Sequence, residues 1–320
     1  MGKLSKIVFI GVAALAACAA LLWLTTPDVR PLKDPRCNLT IEVRDWKGNY
    51  HPFVVGPGNP RYAPLRRISR YMRAAVVAGE DAKFYRHQGF DFKAMKEAAE
   101  RDIEEGRFAA GGSTITQQLA KNLYLSRAKS LVRKVREAAV AYRLEKELTK
   151  RRILELYLNV VELGPNVYGV ENGSRFYFGK SAAGLNPKEA AFLAAMLPGP
   201  KVYNPYKNLR KVERRSRRIL KGMLWAGVID RAGFAAWCAA QVNVKGMEKR
   251  IEAITGEKEE TTLGPEDLQE DTEGLPPAGP EGAAPGSPEA TPPAEGAPAA
   301  PGQAAPPALP EAAPAQPAAQ

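Results

Sequence analysis

The chain has 320 residues, 46 basic and 35 acidic side chains, and a formal net charge of +11, a length that suits one or two domains. Its three cysteines and two histidines show no metal-ligand spacing, which argues against a zinc domain. The lack of a P-loop, a dinucleotide-binding glycine pattern and an internal repeat argues against nucleotide-binding and repeat architectures.

An uncharged run, IVFIGVAALAACAALLWL, occupies residues 7–24 and follows two lysines. As a helix, 18 residues cover about 27 Å, close to the ~30 Å hydrocarbon core of a bilayer. Positive charge before the run predicts a cytoplasmic N-terminus and an exported remainder. We therefore expect residues 1–27 to form a short cytoplasmic stub and a single-pass transmembrane anchor. A lipoprotein processed at Cys18 and ordinary signal-peptide cleavage are the alternatives.

The C-terminal segment, residues 257–320, is dominated by Pro, Ala, Gly and Glu. Such a segment buries too little apolar surface to offset its ordering entropy, so we expect a disordered tail. The tail carries twelve acids and one lysine, net −11, so residues 1–256 carry +22. An exported basic domain would not meet nucleic acid, and its charge favours anionic lipid headgroups or a phosphorylated substrate. Whether Cys37 pairs with Cys238 is left open by the sequence.

Residues 28–256 are expected to form one mostly helical domain. Weak alternation over 39–55 predicts a small hairpin, and helical spacing begins at Ile68. Apolar residues at 131, 135, 138 and 142 share one helical face, which we expect to pack on the core. Thr149 is placed to cap the helix that follows it, and Asn186, Pro187 and Glu189 match a capping box.

The first chemical block is EDAKFYRHQGFD, residues 80–91. If 74–85 is helical, Glu80 and Phe84 share one face while Asp81 and Tyr85 share the next, so the two acids would have different surroundings. One acid would then be free to act as a base while the other accepts structural hydrogen bonds. An ordinary acidic helix end paired with nearby cations is the alternative.

Two further blocks carry amide and basic groups. GGSTITQQLAKN, residues 111–122, offers Ser113 or Thr114 as a helix cap and sets Gln117 and Lys121 one turn apart. Amide donors beside an ammonium suit a sugar diphosphate. RKVRE, residues 133–137, spaces its cations three and four residues before Glu137. A polar helix face and solvated surface ion pairs are the respective alternatives.

These blocks, followed by RRILELYLN, YGVENGSRFYFGKSA and EAAFLAAMLPGPKVYNP, resemble in order and spacing the peptidoglycan glycosyltransferases of family 51. The resemblance covers about residues 62–206. It implies a mainly α, lysozyme-like domain with two lobes, the smaller of which approaches the membrane. It further implies an enzyme that polymerises lipid II into β-1,4 glycan strands by an inverting mechanism, on the outer side of the bacterial inner membrane, in contact with the growing glycan chain.

The resemblance also implies roles for individual residues. Glu80 matches the general base and Glu137 the second acid, near the departing diphosphate. Asp81, Phe84 and His87 match residues that shape the first motif. The residues that match the substrate-binding and phosphate-binding positions are Ser113, Thr114, Gln117, Gln118, Lys121, Arg133 and Lys134.

Several points stay open in the sequence. No transpeptidase signature follows the domain, so we expect a monofunctional enzyme; cell-wall synthesis or division proteins are candidate partners. We expect no dedicated metal cage, although a Mg²⁺ or Mn²⁺ ion bridging Glu137 and the diphosphate is compatible with the residues. A lysozyme-like hydrolase or lytic transglycosylase is the nearest alternative, and a non-catalytic membrane-anchored scaffold is the other.

Overall fold

The computed structural model describes residues 3–45, 47–104, 112–125, 130–199 and 202–246. Within these ranges the chain is mainly helical, as predicted, with short strands in two antiparallel pairs. The elements are α1 Lys3–Thr25, β1 Leu39–Arg44, β2 Tyr50–Val55, α2 Arg70–Glu80, α3 Phe92–Glu104, α4 Ile115–Tyr124, α5 Leu131–Glu147, α6 Lys150–Val160, β3 Glu162–Gly164, β4 Val167–Tyr168, α7 Val170–Phe178, α8 Pro187–Met196, α9 Pro205–Trp225 and α10 Arg231–Ala239.

The predicted hairpin and caps are confirmed. Strands β1 and β2 pair in the register that sets Leu39 opposite Val55 and Arg44 opposite Tyr50. The Thr149 hydroxyl accepts from the Arg152 amide at the start of α6. Asn186 and Glu189 exchange side-chain and backbone hydrogen bonds of 2.9 and 3.0 Å at the start of α8. These local signals therefore place two helices correctly.

Helices α6 and α8 form the centre of the core. Every residue from Ala190 to Met196 is fully buried, and α6 buries all but one residue from Arg152 to Val160. Helix α8 packs on α2 and α9, while α6 packs on α4. Because α8 is rich in alanine, its neighbours approach closely on all sides. Helix α2, which ends with the first residue of the first chemical block, and helix α4, which carries most of the second, thus pack directly on the buried core helices.

The helix predicted over 74–85 ends five residues early. Helix α2 stops at Glu80, and Asp81 leaves the helical region with φ −162° and ψ 75°. The following turn sends Phe84 into the core, where it is 0% exposed. The expectation that Glu80 and Phe84 share a helical face, which required 74–85 to be helical, is therefore wrong, because the chain leaves the helix at Asp81.

The apolar stripe of α5 does not face the core. Leu131 is 86% exposed, Val135 53% and Tyr142 52%. The buried face instead carries Glu137, with Val140, Ala141 and Leu144. Periodicity detects an apolar face but does not say what covers it. The core-facing prediction for this stripe is therefore wrong, and α5 presents apolar side chains outward.

The end of α1 is fixed to α5. The guanidinium of Arg143 donates to the Thr26 carbonyl (2.8 Å) and lies 4.0 Å from the centre of the Trp23 ring. The ring centres of Trp23 and Tyr142 are 6.2 Å apart. Among the described residues, none of the helices combines the length and apolar character needed to cross a membrane. The transmembrane anchor thus stays a prediction.

Three other predictions concern the remainder of the chain. Cys37 and Cys238 are free thiols, so the pairing that the sequence left open is not formed here. The tail predicted over 257–320 lies outside the described residues. The division into two lobes and the domain boundaries at 28 and 256 stay predictions.

Candidate active site

Glu80 is the last residue of α2, and its carboxylate is held from two sides. Arg215 Nη2 of α9 donates to Oε1 and Gln118 Nε2 of α4 donates to Oε2, each at 2.9 Å. The Glu80 side chain is only 6% exposed. Three helices that are distant in sequence therefore meet at this carboxylate.

Burial raises the pKa of Glu80, because a charged carboxylate loses its hydration there. The Gln118 hydrogen bond, Arg215 and the charge of Lys121 act in the opposite direction, but burial prevails. A carboxyl with a raised pKa takes up a proton more readily than a solvated one, which is the property that a general base needs. Lys121 is exposed, and its charge acts on Glu80 from α4.

Asp81 has a different environment from its neighbour. Its carboxylate accepts from His87 Nε2 at 2.8 Å and from the Ile115 amide at the start of α4, at 3.1 Å. The Gly89 amide donates to His87 Nδ1, which leaves the proton on Nε2, facing Asp81. Asp81 and His87 therefore join the first block to the second, and both side chains are occupied by these bonds.

The residues of the second block have two kinds of contact: some cap the start of α4, and Gln118 contacts Glu80. Thr114 and Gln117 form a capping box, and the Thr114 hydroxyl donates to the Gly89 carbonyl at 2.7 Å. Gln117 is 2% exposed. The structure thus places these two predicted substrate ligands in contacts that shape the start of α4. Gln118 instead meets Glu80, and the Tyr157 hydroxyl donates to its Oε1 at 3.0 Å.

The third block folds into a buried carboxylate between two cations. Glu137 is 3% exposed; Arg133 Nη1 donates to its Oε2 at 2.7 Å and Lys134 Nζ donates to its Oε1. Lys134 also donates to the Ser113 hydroxyl at 3.1 Å. The Lys134 side chain is 44% exposed, so this ammonium keeps access to solvent. The second and third blocks are therefore joined through Ser113.

A pocket of about 250 Å³ lies between the first and second blocks. Its lining includes Glu80 and Asp81 from the first block and Ser113 from the second. An ion pair of 3.3 Å between Lys83 and Asp91 also borders it. Since Lys134 donates to Ser113, an ammonium lies one hydrogen bond away from a pocket that Glu80 also lines. Lys121, Arg133 and Glu137 do not line this pocket.

Arg215 and Tyr157 were not among the residues predicted from the sequence. Arg215 lies in the basic stretch RKVERRSRRILKGMLWAG, where it shares a helical face with the buried Val212 and Ile219. A cation on the apolar face of an amphipathic helix indicates a buried partner of opposite charge, and this pattern could have identified Arg215 from the sequence. Tyr157 is fully buried in α6, and burial raises its pKa, which keeps its hydroxyl protonated as a donor to Gln118.

The residues near Glu137 do not fit the divalent cation that the sequence allowed. Both carboxylate oxygens already accept from cations, and the carboxylate is almost fully buried. Among the described residues no cluster of three metal-ligating side chains is found. Arg133 and Lys134 thus occupy the carboxylate oxygens that a divalent ion would need.

A buried carboxylate beside a pocket, with amide and cationic groups converging from separate helices, defines an enzyme site. The family model described as Transglycosylase matches residues 52–224. The biosynthetic peptidoglycan transglycosylase of Acinetobacter baumannii strain SDF is 40% identical over 220 residues, covering 68% of this chain and 93% of the relative. That of Nitrosospira multiformis is 46% identical over 168 residues, covering 52% and 73%. The chain belongs to the transglycosylase family.

Among solved structures, penicillin-binding protein 1A from Haemophilus influenzae matches 69% of this chain at 19% identity, with a TM-score of 0.35. This chain spans only a quarter of that protein's length. The family assignment thus rests on the sequence comparisons.

Proposed function

We propose that this peptidoglycan glycosyltransferase polymerises lipid II into β-1,4 glycan strands, with inversion at the sugar and release of undecaprenyl diphosphate. The observation that carries the proposal is one pocket lined by both Glu80 and Ser113: Glu80 is a buried carboxyl of raised pKa, and Ser113 is bonded to the Lys134 ammonium. Membership of the transglycosylase family supports the reaction class.

In this mechanism Glu80 is the general base. Its carboxylate accepts the proton of the acceptor sugar's 4-hydroxyl while that oxygen forms a bond to the anomeric carbon of the donor. The bond from the anomeric carbon to the diphosphate breaks on the opposite face, and the electron pair leaves with the diphosphate. The mechanism therefore needs a base on one face of the sugar and a cation near the leaving group on the other. Glu80 is proposed as the base and Lys134 as a cation at the leaving group.

Lys121, Arg133 and Lys134 would neutralise the diphosphate. Glu137 is proposed to act on it indirectly, since both of its oxygens hold Arg133 and Lys134 in place. Ser113 is accessible at the pocket and is proposed to contact substrate. For Thr114 and Gln117 the capping box supports a shaping role, and Gln118 is proposed to orient the base. Asp81, Phe84 and His87 complete the frame of the first block.

We further propose that the chain works at the inner membrane, with its catalytic domain on the extracytoplasmic side. The outward apolar face of α5 meets the end of α1 at the Trp23–Tyr142 contact. Aromatic pairs of this kind suit the boundary between lipid and water, and an apolar helix face can lie in that boundary. Confinement to the surface that holds the lipid-linked substrate raises the rate of encounter.

The test is incubation of the full chain with purified lipid II, and separately with finished glycan. A synthase lengthens lipid II into glycan and leaves the finished strands intact. Shortening of finished strands without lengthening of lipid II would indicate a lytic enzyme. No change in either substrate would favour a non-catalytic scaffold and would overturn the proposal.

A further inference from the structure

Arg215 reaches the candidate base from a part of the chain 135 residues away. Its Nη2 donates to Glu80 Oε1 at 2.9 Å and to the Gly79 carbonyl at 3.1 Å. The Arg215 side chain is 26% exposed, and its guanidinium lies 5.6 Å from the centre of the Tyr203 ring. One guanidinium nitrogen therefore donates both to the Glu80 carboxylate and to the backbone carbonyl of the residue before it.

The position of Arg215 is set by close packing of α9 on α2. A Cβ added to Gly79 would come within 2.9 Å of Ile219, and one added to Gly222 would come within 3.0 Å of Ala78. The two helices touch at these glycines, which leave no room for a larger side chain between them. Arg215 is one turn before Ile219 on α9, so this close contact brings it next to Glu80.

The other groups around Glu80 come from α4, α6 and its own turn. Gln118 donates to the second oxygen and is itself held by Tyr157, while Lys121 contributes charge from α4. Asp81, the adjacent acid, is directed to His87 and Ile115. Of the two groups that donate to the Glu80 carboxylate and offset its loss of hydration, Gln118 is a neutral amide. Arg215 offers a full positive charge at hydrogen-bond distance.

We propose that Arg215 is a positioning residue for the base: it fixes the orientation of the Glu80 carboxylate and places a positive charge at hydrogen-bond distance, which favours the ionised form. Arg215 would serve the base of the polymerase, so the role rests on the proposed function. A residue on α9 would then control the proton acceptor on α2 without touching the substrate.

The test compares Arg215→Met, Arg215→Lys and, as a matched control on the solvent face of α9, Arg218→Met. Because Arg215 lowers the pKa of Glu80, its removal raises that pKa, and the acidic limb of the kcat against pH profile moves to higher pH. We expect Arg215→Met to lose at least about tenfold in kcat near neutral pH, within the range that general-base catalysis supplies, and to recover activity at higher pH. In Arg215→Lys the acidic limb should lie close to its wild-type pH, and Arg218→Met should have the wild-type profile.

A second readout separates this role from the function itself. Carbon-13 NMR titration of Glu80 in the full chain, without substrate, should show a higher midpoint in Arg215→Met than in Arg218→Met, even if the wild type fails to polymerise lipid II. An unchanged midpoint, or a loss of activity that is the same at every pH, would overturn the positioning role. If thermal unfolding shows that Arg215→Met does not fold, the Arg215→Lys titration decides: its midpoint should stay close to the wild-type value, and a midpoint equal to that of an uncharged replacement such as Arg215→Gln would reject the role.

Discussion

The Glu80 carboxylate and the Arg215 guanidinium form a 2.9 Å ion pair between the end of α2 and the middle of α9. Since Gln118 of α4 holds the other oxygen at the same distance, the carboxylate has a defined orientation before substrate arrives. Preorganised groups of this kind do not have to reorganise during the reaction. The candidate base is therefore a product of tertiary structure and not of the EDAKFYRHQGFD motif alone.

Replacing the base should not weaken the fold. The pKa of Glu80 is raised in the folded state, so between its ordinary pKa of 4.5 and the folded value the native protein binds more protons than the unfolded chain. Stability is therefore lost as the pH rises through that window. Glu80→Gln does not ionise, and we expect its thermal midpoint at pH 7.5 to equal or exceed that of the wild type. The difference should vanish at pH 4. A large loss of stability at pH 7.5 would show that the Arg215 pair outweighs burial.

Replacing Asp81, unlike replacing Glu80, should lower the stability of the fold. Asp81→Asn weakens charge-assisted bonds to His87 and to the Ile115 amide, so we expect a loss of about 1.5–3 kcal/mol in the free energy of unfolding. Denaturant unfolding of Asp81→Asn, His87→Gln and the double variant measures the coupling between the two side chains. Additive losses would contradict the direct bond between them.

Lys134 should matter for the reaction more than for stability. Its side chain is 44% exposed, and Arg133 still pairs with the buried Glu137 carboxylate when Lys134 is removed, so that carboxylate keeps a cationic partner. Removing one donor from a developing anion costs roughly a hundredfold to a thousandfold in rate. We expect Lys134→Met to lower kcat/KM with lipid II by that amount and to change the thermal midpoint little. Lys96→Met, whose side chain is 77% exposed on α3, is the control and should leave kcat/KM unchanged.

Two leucines of α5 test which face of this helix is buried. Leu144 is 0% exposed, so Leu144→Ala should cost about 2–5 kcal/mol in unfolding free energy. Leu131 is 86% exposed, and Leu131→Ala should change that free energy by less than about 0.5 kcal/mol.

The same leucine also tests the proposed contact with lipid. A fluorophore placed at Leu131→Cys, in a full chain whose native cysteines are replaced by serine, should be quenched by nitroxide-labelled lipids in anionic vesicles. A fluorophore at Val202→Cys is the comparison, since Val202 is also exposed, at 48%. Equal quenching at both positions, or none at either, would contradict a specific lipid contact of the α5 face.

Features that depend on a few consecutive residues were predictable from the sequence. The caps at Thr149 and Asn186 and the hairpin over 39–55 are examples, because each depends on neighbouring side chains and backbone groups. The order of the motifs likewise identified the family. The mainly helical character followed from the spacing of apolar residues.

Features decided by competition between distant segments were not predictable. Helix α2 ends at Glu80 and the turn that follows buries Phe84 in the core, an outcome that the local propensity of 74–85 does not reveal. The stripe of α5 faces outward because the opposite face holds Glu137 and packs on α4. Arg215 meets Glu80 only through the packing of α9 on α2. In each case a tertiary contact decided the outcome.

The most direct measurement is the rate and length of glycan made from lipid II by the full-length wild type and by Glu80→Gln, with thermal unfolding recorded on the same preparations. We expect the wild type to produce polymer and the folded Glu80→Gln variant to produce none above background. Polymer formed by folded Glu80→Gln at the wild-type rate would contradict Glu80 as the proton acceptor.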